Sequence, residues 1–182
     1  MLHGKNVILR TIREADFDTL FQYLNDVRTR GPFEHIDLFS EGQMRKKFAE
    51  TGFWEPDEGI LHITDKQDIL LGYVSFSKPY TSPTRLAYEI AYAIDRPSNW
   101  GKGLMTDALS IFVPFLFAIK SIERIQAMVH PDNVGSKRVL EKCSFTFEGV
   151  LRRVYLYRGR PTDMHLYSIL RDESPPLSLE EA

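Results

Sequence analysis

Two glycines in three residues stand in the stretch Trp100-Gly101-Lys102-Gly103-Leu104-Met105-Thr106. The stretch joins a strand-like run, Leu86 to Ile94, to a long apolar run, Leu104 to Lys120. Glycines let a backbone turn tightly and approach a ligand closely. Amides just inside a helix start lack intrahelical partners, and the helix dipole favours an anion there. Such a turn is either a phosphate cradle or an ordinary strand-to-helix connection. No full Gly-x-x-x-x-Gly-Lys-Ser/Thr or Gly-x-Gly-x-x-Gly motif accompanies it.

Other reactive residue types are sparse. Cys143 is the single cysteine, which excludes an intrachain disulfide and a cysteine-based zinc cluster. It lies toward the end of a helical run, where a thiolate gains nothing from the dipole, so a packed apolar role is expected. The five histidines show no metal-like spacing, and no metal site is expected. No Ser/His/Asp triad stands out. Glu89 is the charged residue of an otherwise apolar strand, Tyr88-Glu89-Ile90-Ala91-Tyr92-Ala93-Ile94. A carboxylate there could take a proton from an amine through water, attract an ammonium group, or simply face outward.

The elements that must hold these residues follow from periodicity. Val7 to Ile12 reads as a strand, and Thr11 to Asn25 opens into an amphipathic helix through Leu20, Phe21, Tyr23 and Leu24. Arg28 to Phe39 reads as a loop. Ser40 and Gln43 suit a capping box for a helix running to about Glu50. Ile60 to Thr64 and Ile69 to Phe76 read as strands of a hairpin turning through Asp65 to Asp68. Leu86 to Ile94 is the next strand, followed by the glycine turn and a helix interrupted by Pro114. Ile122 to Val129 is a strand, and Asn133 caps a helix from Val134 to Cys143. Ser144 to Gly149, Arg153 to Arg158 and Asp163 to Leu170 are three short strand candidates. The order βααβββαβαββ, with room for one further strand, makes a single mixed α/β domain over residues 1–172. The proline-rich, acidic segment 173–182 is expected to be a mobile tail.

The totals agree with a soluble globular protein. The 182 residues carry a net charge of −2, with 43% hydrophobic and 26% charged residues. That balance lacks the broad basic footprint of a nucleic-acid or anionic-membrane binder, so neither partner is expected. The most apolar window, Leu109 to Ile119, is too short to span a bilayer. The cysteine count and the polar N-terminus suit a cytoplasmic protein.

Taken together, element order and motifs resemble the GNAT superfamily of acyl-CoA-dependent N-acyltransferases, over about residues 5 to 170. The RimJ/RimL type of N-terminal acetyltransferase and its small-molecule relatives is the most similar branch. Trp100-Gly101-Lys102-Gly103-Leu104-Met105 falls on the family's Gln/Arg-x-x-Gly-x-Gly/Ala, with tryptophan first as in that branch and Met105 departing from Gly/Ala. Asn133-Val134-Gly135-Ser136 and Leu140-Glu141-Lys142-Cys143-Ser144-Phe145 are similar to Asn-x-x-Ser and Leu-Glu-Lys-x-Gly-Phe, with Ser144 in place of glycine. The Glu89 strand resembles the branch's Glu-Ile-Gly-Tyr. Glu148 to Arg152 and Tyr157 to Asp163 also look like this branch.

The resemblance implies a GNAT fold: one mixed, mostly antiparallel sheet of about seven strands, splayed between the fourth and fifth, with about four flanking helices. It implies acetyl-CoA as co-substrate and direct attack on its thioester by a primary amine, either a protein N-terminus or a small molecule. The amides of Gly101, Lys102, Gly103, Leu104, Met105 and Thr106 would hold the diphosphate after Trp100. Backbone groups of Tyr92, Ala93 and Ile94, with Asn133, would hold the pantetheine arm, Asn133 serving equally as a helix cap. Ser136 would donate a proton to the departing thiolate, or be a solvated serine. Glu89 would be the base or the ammonium site. Tyr155 stands where some relatives place a glutamate, and Asp163 and His165 are backups. Lys102, Lys137 and Arg138 would meet phosphates or remain solvated. Phe33, Glu34, Phe39, Phe53 and Trp54 would line the acceptor side, unless the last two cover the core. The alternative activity is a non-catalytic acyl-CoA-binding module, suggested by Met105, Ser144 and Tyr155. A homodimer is compatible with all of this.

Overall fold

A computed structural model describes residues 1–26, 31–34, 37–79 and 86–177. The expected loop at Pro79 to Arg85 therefore falls outside the described residues from 80 on, and the expected tail does so from 178 on.

Among the described residues, eight strands form one sheet in the order β1-β2-β3-β4-β5-β6-β8-β7. They are β1 (Leu2–His3), β2 (Ile8–Arg10), β3 (Gly59–Thr64), β4 (Leu70–Ser77), β5 (Ala87–Ile94), β6 (Arg124–Val129), β7 (Thr146–Tyr157) and β8 (Arg160–Leu170). Four helices flank the sheet: α1 (Phe17–Asn25), α2 (Glu41–Thr51), α3 (Leu104–Ile119) and α4 (Val134–Lys142). Every neighbouring pair is antiparallel except β5 and β6, which run parallel.

The core sits where α3 crosses the sheet. Met105, Ala108, Leu109, Phe112, Val113, Leu116 and Phe117 recur at helical spacing and are buried. They meet alternate residues of the strands, among them Leu61, Ile63, Val74, Phe76, Ile90, Ile125, Ala127 and Ile169. Burying this stripe outweighs the backbone bond lost at Pro114, which lies inside the continuous helix.

On the opposite face α1 is anchored by a buried ion pair. Arg10 Nη1 lies 2.6 Å from Asp16 Oδ2, and the second contact, Nη2 to Oδ1, is 3.0 Å. This bidentate geometry fixes the short 3-10 turn Glu14–Asp16 that leads into α1.

Three expectations change. The C-terminal strands are two long ones rather than three short ones, because β7 pairs with β8 across register shifts at Phe147/Gly149 and Leu151/Tyr155. β1, two residues long, is additional. Ser40 has the extended backbone of an N-cap but makes no side-chain capping bond, so the Ser40/Gln43 box does not form.

Candidate active site

The parallel pair β5/β6 is in register at Ala87↔Arg124, Tyr88↔Ile125 and Glu89↔Gln126. Beyond Glu89, β5 follows β4 as far as the Gly72↔Ile94 pair, and beyond Gln126, β6 follows β8 as far as Val129↔His165. Each strand keeps its antiparallel partner, so the two part and a cleft of about 860 Å³ opens between them. Tyr92, Ala93, Ile94, Trp100, Gly101, Gly103, Leu104, Met105, Thr106, Asn133, Ser136, Phe33, Glu34 and Glu89 all line it.

At one end of the cleft lies the glycine turn. Trp100 donates its indole N–H to the Ile94 carbonyl at 2.9 Å, which ties the turn to the end of β5. Gly101 and Gly103 adopt φ of 73° and 77°, with nothing within 4 Å of where a Cβ would stand. These glycines are required by backbone conformation, not by space. Gly103 is the N-cap of α3, and its carbonyl accepts from Asp107 N–H at 3.0 Å. The amides before Asp107 precede the helical ladder and have the character of an anion site. Met105, only 7% exposed, belongs to the core cluster while also lining the cleft. An anionic diphosphate fits this end, and an extended arm with backbone-bonding groups fits the gap beyond it. Lys102 reaches Asn99 Oδ1 at 3.4 Å and is not among the lining residues, and Lys137 bonds the Pro131 carbonyl. Arg138 does line the cleft.

The N-terminus of α4 forms the facing wall. Asn133 Oδ1 accepts from Ser136 N–H at 3.0 Å, so the capping role is present. Ser136 Oγ lies 2.7 Å from the hydroxyl of Tyr92, which extends across from β5. The sequence placed Tyr92 here for its backbone alone; its phenol is the finding. Burial pushes this phenol's ionisation up. Cys143 is half-buried, and burial raises its thiol to about 11, which keeps it protonated and a poor nucleophile. Ser144 takes φ of 65° after α4, a left-handed conformation that favours glycine.

Glu89 stands at the floor, where the strands part. Gln126 Nε2–H donates to Glu89 Oε2 at 2.9 Å, while Gln126 itself is 4% exposed. Burial raises the Glu89 carboxyl, and the bond from Gln126 lowers it in part. Arg124 leans toward Gln126 Oε1 at 3.4 Å and clamps Glu148 through two contacts of 2.5 Å. Glu148 is thereby held below the usual carboxylate range and is committed to structure.

Toward the acceptor side, Glu34 accepts from the Tyr23 hydroxyl at 3.2 Å and from Gly31 N–H at 3.0 Å. Nearby Asp95 is pushed up to about 6 by burial first and by the Glu34 charge second. Phe33 stacks on His130, with centroids 4.9 Å apart. Tyr73, Met128, Tyr155 and Met164 complete this wall. Of the four, only Tyr155 is singled out by the sequence, at a position where some relatives place a glutamate; strand alternation marks such residues as sharing a face, but only strand register brings them together.

Several expected acceptor residues lie elsewhere. Trp54 packs on Phe76 and Phe115 at the core's edge and does not line the cleft. Phe53 belongs to an aromatic cluster with Phe17 and Phe48. Phe39 donates its N–H to Asn25 Oδ1 outside the cleft. The backups are also structural: Asp163 accepts from Arg153 N–H at 2.8 Å, and His165 lies 5.1 Å from the Phe147 ring. Among the described residues no group of three or more His, Cys, Asp or Glu could hold a metal ion, and no helix is long and apolar enough to cross a membrane.

Comparison with known proteins agrees with this geometry. Residues 6–146 match the family model described as an acetyltransferase (GNAT) domain. The chain is 31% identical over 184 residues to a probable N-acetyltransferase, YjcK, of Bacillus subtilis, covering 95% of this chain and 98% of that protein. Its fold is similar to that of spermidine N-acetyltransferase from Vibrio cholerae, solved with CoA and spermine. That likeness has a TM-score of 0.78 at 20% identity, over 94% of this chain and 99% of the other. The ribosomal-protein-S5-alanine acetyltransferase of Vibrio fischeri gives 0.77 at 22% identity, over 97% and 100%. An open mixed sheet, a splayed parallel pair with a glycine turn at its mouth, and a family match over most of the chain lead to one conclusion: this protein belongs to the GNAT acetyltransferase family.

Proposed function

We propose that this chain transfers an acetyl group from acetyl-CoA to a primary amine by direct attack, as a relative of the RimJ/RimL type. The observation that carries the reading is the parting of β5 and β6 beyond Glu89 and Gln126, with an anion-suited turn at the mouth and a half-buried carboxylate at the floor. The unit that acts spans residues 1–172.

Acetyl-CoA supplies a thioester carbonyl open to attack by nitrogen. The amides from Gly101 to Thr106 hold its diphosphate, and backbone groups of Tyr92 to Ile94 guide its arm. Glu89 attracts the ammonium form of the acceptor and takes its proton, directly or through water, which leaves a neutral amine. Ser136 donates a hydrogen bond to the departing sulfur. Holding both reactants in one narrow gap supplies much of the acceleration. Glu34, which lines the cleft, favours a positively charged acceptor, consistent with the amine substrates named for the two Vibrio neighbours.

The test measures acetyl-CoA's effect on thermal unfolding, then thiol release with spermidine, alanine-initiated peptides and a library of small amines. A raised unfolding temperature with amine-dependent thiol release is expected. Firm binding without turnover on any amine would instead support a non-catalytic acyl-CoA-binding module.

A further inference from the structure

Ser136 is held by two neighbours. Asn133 Oδ1 engages its backbone N–H, and the Tyr92 hydroxyl lies 2.7 Å from its Oγ. The Ser136 carbonyl is 3.5 Å from the same phenol oxygen, at the limit of hydrogen-bond range, so the hydroxyl pair is the contact that matters.

Two hydroxyls can bond in either direction. A phenol is the stronger acid and the poorer acceptor, because its ring draws density from the oxygen. Tyr92 is therefore the donor and Ser136 Oγ the acceptor. With one lone pair of Oγ occupied, the serine's own proton turns away from Tyr92. Both residues line the cleft, so the region open to that proton includes the cleft itself.

The geometry points to Tyr92 as a positioning residue that aims the Ser136 O–H at the leaving sulfur of the acyl donor. This inference rests on the acetyl-transfer reading above. When the C–S bond breaks, its electron pair goes to sulfur and Ser136 hydrogen-bonds that sulfur. The proton that completes the thiol is the one lost by the attacking nitrogen, and neither hydroxyl is consumed. The helix that carries Ser136 has no tyrosine, and Tyr92 supplies a phenol from the strand opposite.

The test is a double-mutant cycle of Tyr92→Phe and Ser136→Ala, with the best amine of the panel above. Tyr92→Phe is expected to lower kcat about tenfold while the KM for acetyl-CoA stays within about twofold. The double variant should be no slower than Ser136→Ala alone. A second readout needs no amine: ultraviolet titration of the thiol of bound CoA. Its apparent pKa should rise in Tyr92→Phe and in Ser136→Ala, and no further in the double variant. If Ser136→Ala is normal in both readouts, the role of Ser136 in acetyl transfer is wrong. If Ser136→Ala is impaired and Tyr92→Phe is normal, only the positioning role fails. Additive losses, or a fall in unfolding temperature with a raised KM, would assign Tyr92 to packing and overturn the inference.

Discussion

Replacing Gly103 by alanine tests whether the turn before α3 binds through its backbone. The residue is the N-cap of α3 with φ of 77° and ψ of 4°, in the left-handed region. An alanine in this region costs about 1–2 kcal/mol. No clash adds to that figure, because a Cβ at Gly103 meets nothing within 4 Å. The strain has two outlets. If the turn keeps its shape, the unliganded protein loses about 1–2 kcal/mol, or roughly 2–8 °C in Tm for a chain of this size. If the turn relaxes to negative φ, stability is kept, but binding must restore the strained shape to align the amides. The Kd for acetyl-CoA then rises about 5- to 30-fold, since about 1.4 kcal/mol is a factor of ten.

The sum of the two losses is therefore expected to stay near 1–2 kcal/mol, however it divides. Denaturant unfolding of the free protein and calorimetric titration with acetyl-CoA measure the two parts. Gly135→Ala is the contrast for unfolding. Gly135 lies in the first turn of α4 without a positive φ, and a Cβ there meets only Asn133 Oδ1, at 3.7 Å. It should gain about 0.5–1 kcal/mol from helix preference. A Gly103→Ala protein with unchanged stability and unchanged acetyl-CoA affinity would refute the backbone-cradle argument.

Glu89→Gln should lower kcat about 100-fold and remove the acid limb of the rate profile, a limb that lies above the ordinary carboxylate range because burial raises this group. The same substitution should raise the unfolding midpoint at pH 7, because a carboxyl raised on folding loses stability as pH climbs through its folded value; thermal scans at two pH values check the sign. His62, buried beside Asp16, is lowered to about 4 by burial first. Its contribution is therefore complete above about pH 6.5 and is lost as pH falls toward 4, up to about 3 kcal/mol, a part that His62→Gln should remove from urea unfolding curves. Arg10→Leu should cost about 3–5 kcal/mol by leaving Asp16 as a buried charge, and Arg10→Leu with Asp16→Leu should recover most of it.

Much of the structure around the glycine turn and the start of α4 was legible because its signals are local. Two glycines after an apolar strand, a helical stripe from Met105 to Phe117 and Asn133 ahead of α4 each act within a few residues. The glycines take positive φ, the stripe is buried and Asn133 caps its helix. Signals that depend on a distant partner were misread. Gly149 and the apolar-polar disorder after it look like a break between strands. Pairing with β8 instead carries β7 through two register shifts, with Arg153 at φ of 51° absorbing part of the second. Sequence reasoning puts Trp54 on the acceptor side, with covering the core as the alternative, and it is the alternative that holds: its ring closes against Phe76 and Phe115 from two other elements. β1 is too short for any periodicity to mark it.

The two halves of the cleft use different chemistry, and that decides how each tolerates change. On the acetyl-transfer reading proposed above, the donor end would recognise acetyl-CoA through backbone amides and strand edges, so what it needs from a side chain is only that it stay out of the way. Met105 is largely buried in the core, and Ser144 adopts a left-handed φ that favours glycine. Neither departure therefore argues against acetyl-CoA. The acceptor end is assembled from side chains, with Glu34 from a loop, Tyr73 from β4, Glu89 from β5, Met128 from β6, Tyr155 from β7 and Met164 from β8. A change in any one of them alters charge or shape at the amine without disturbing the amides that hold the donor. Substitutions on this wall should thus move the choice of amine while acetyl-CoA affinity stays constant, and substitutions of the glycine turn should do the reverse. A wall variant such as Glu34→Gln that weakened acetyl-CoA binding as much as amine turnover would show that the two ends are not separable, and would undo the division drawn from the splayed strands.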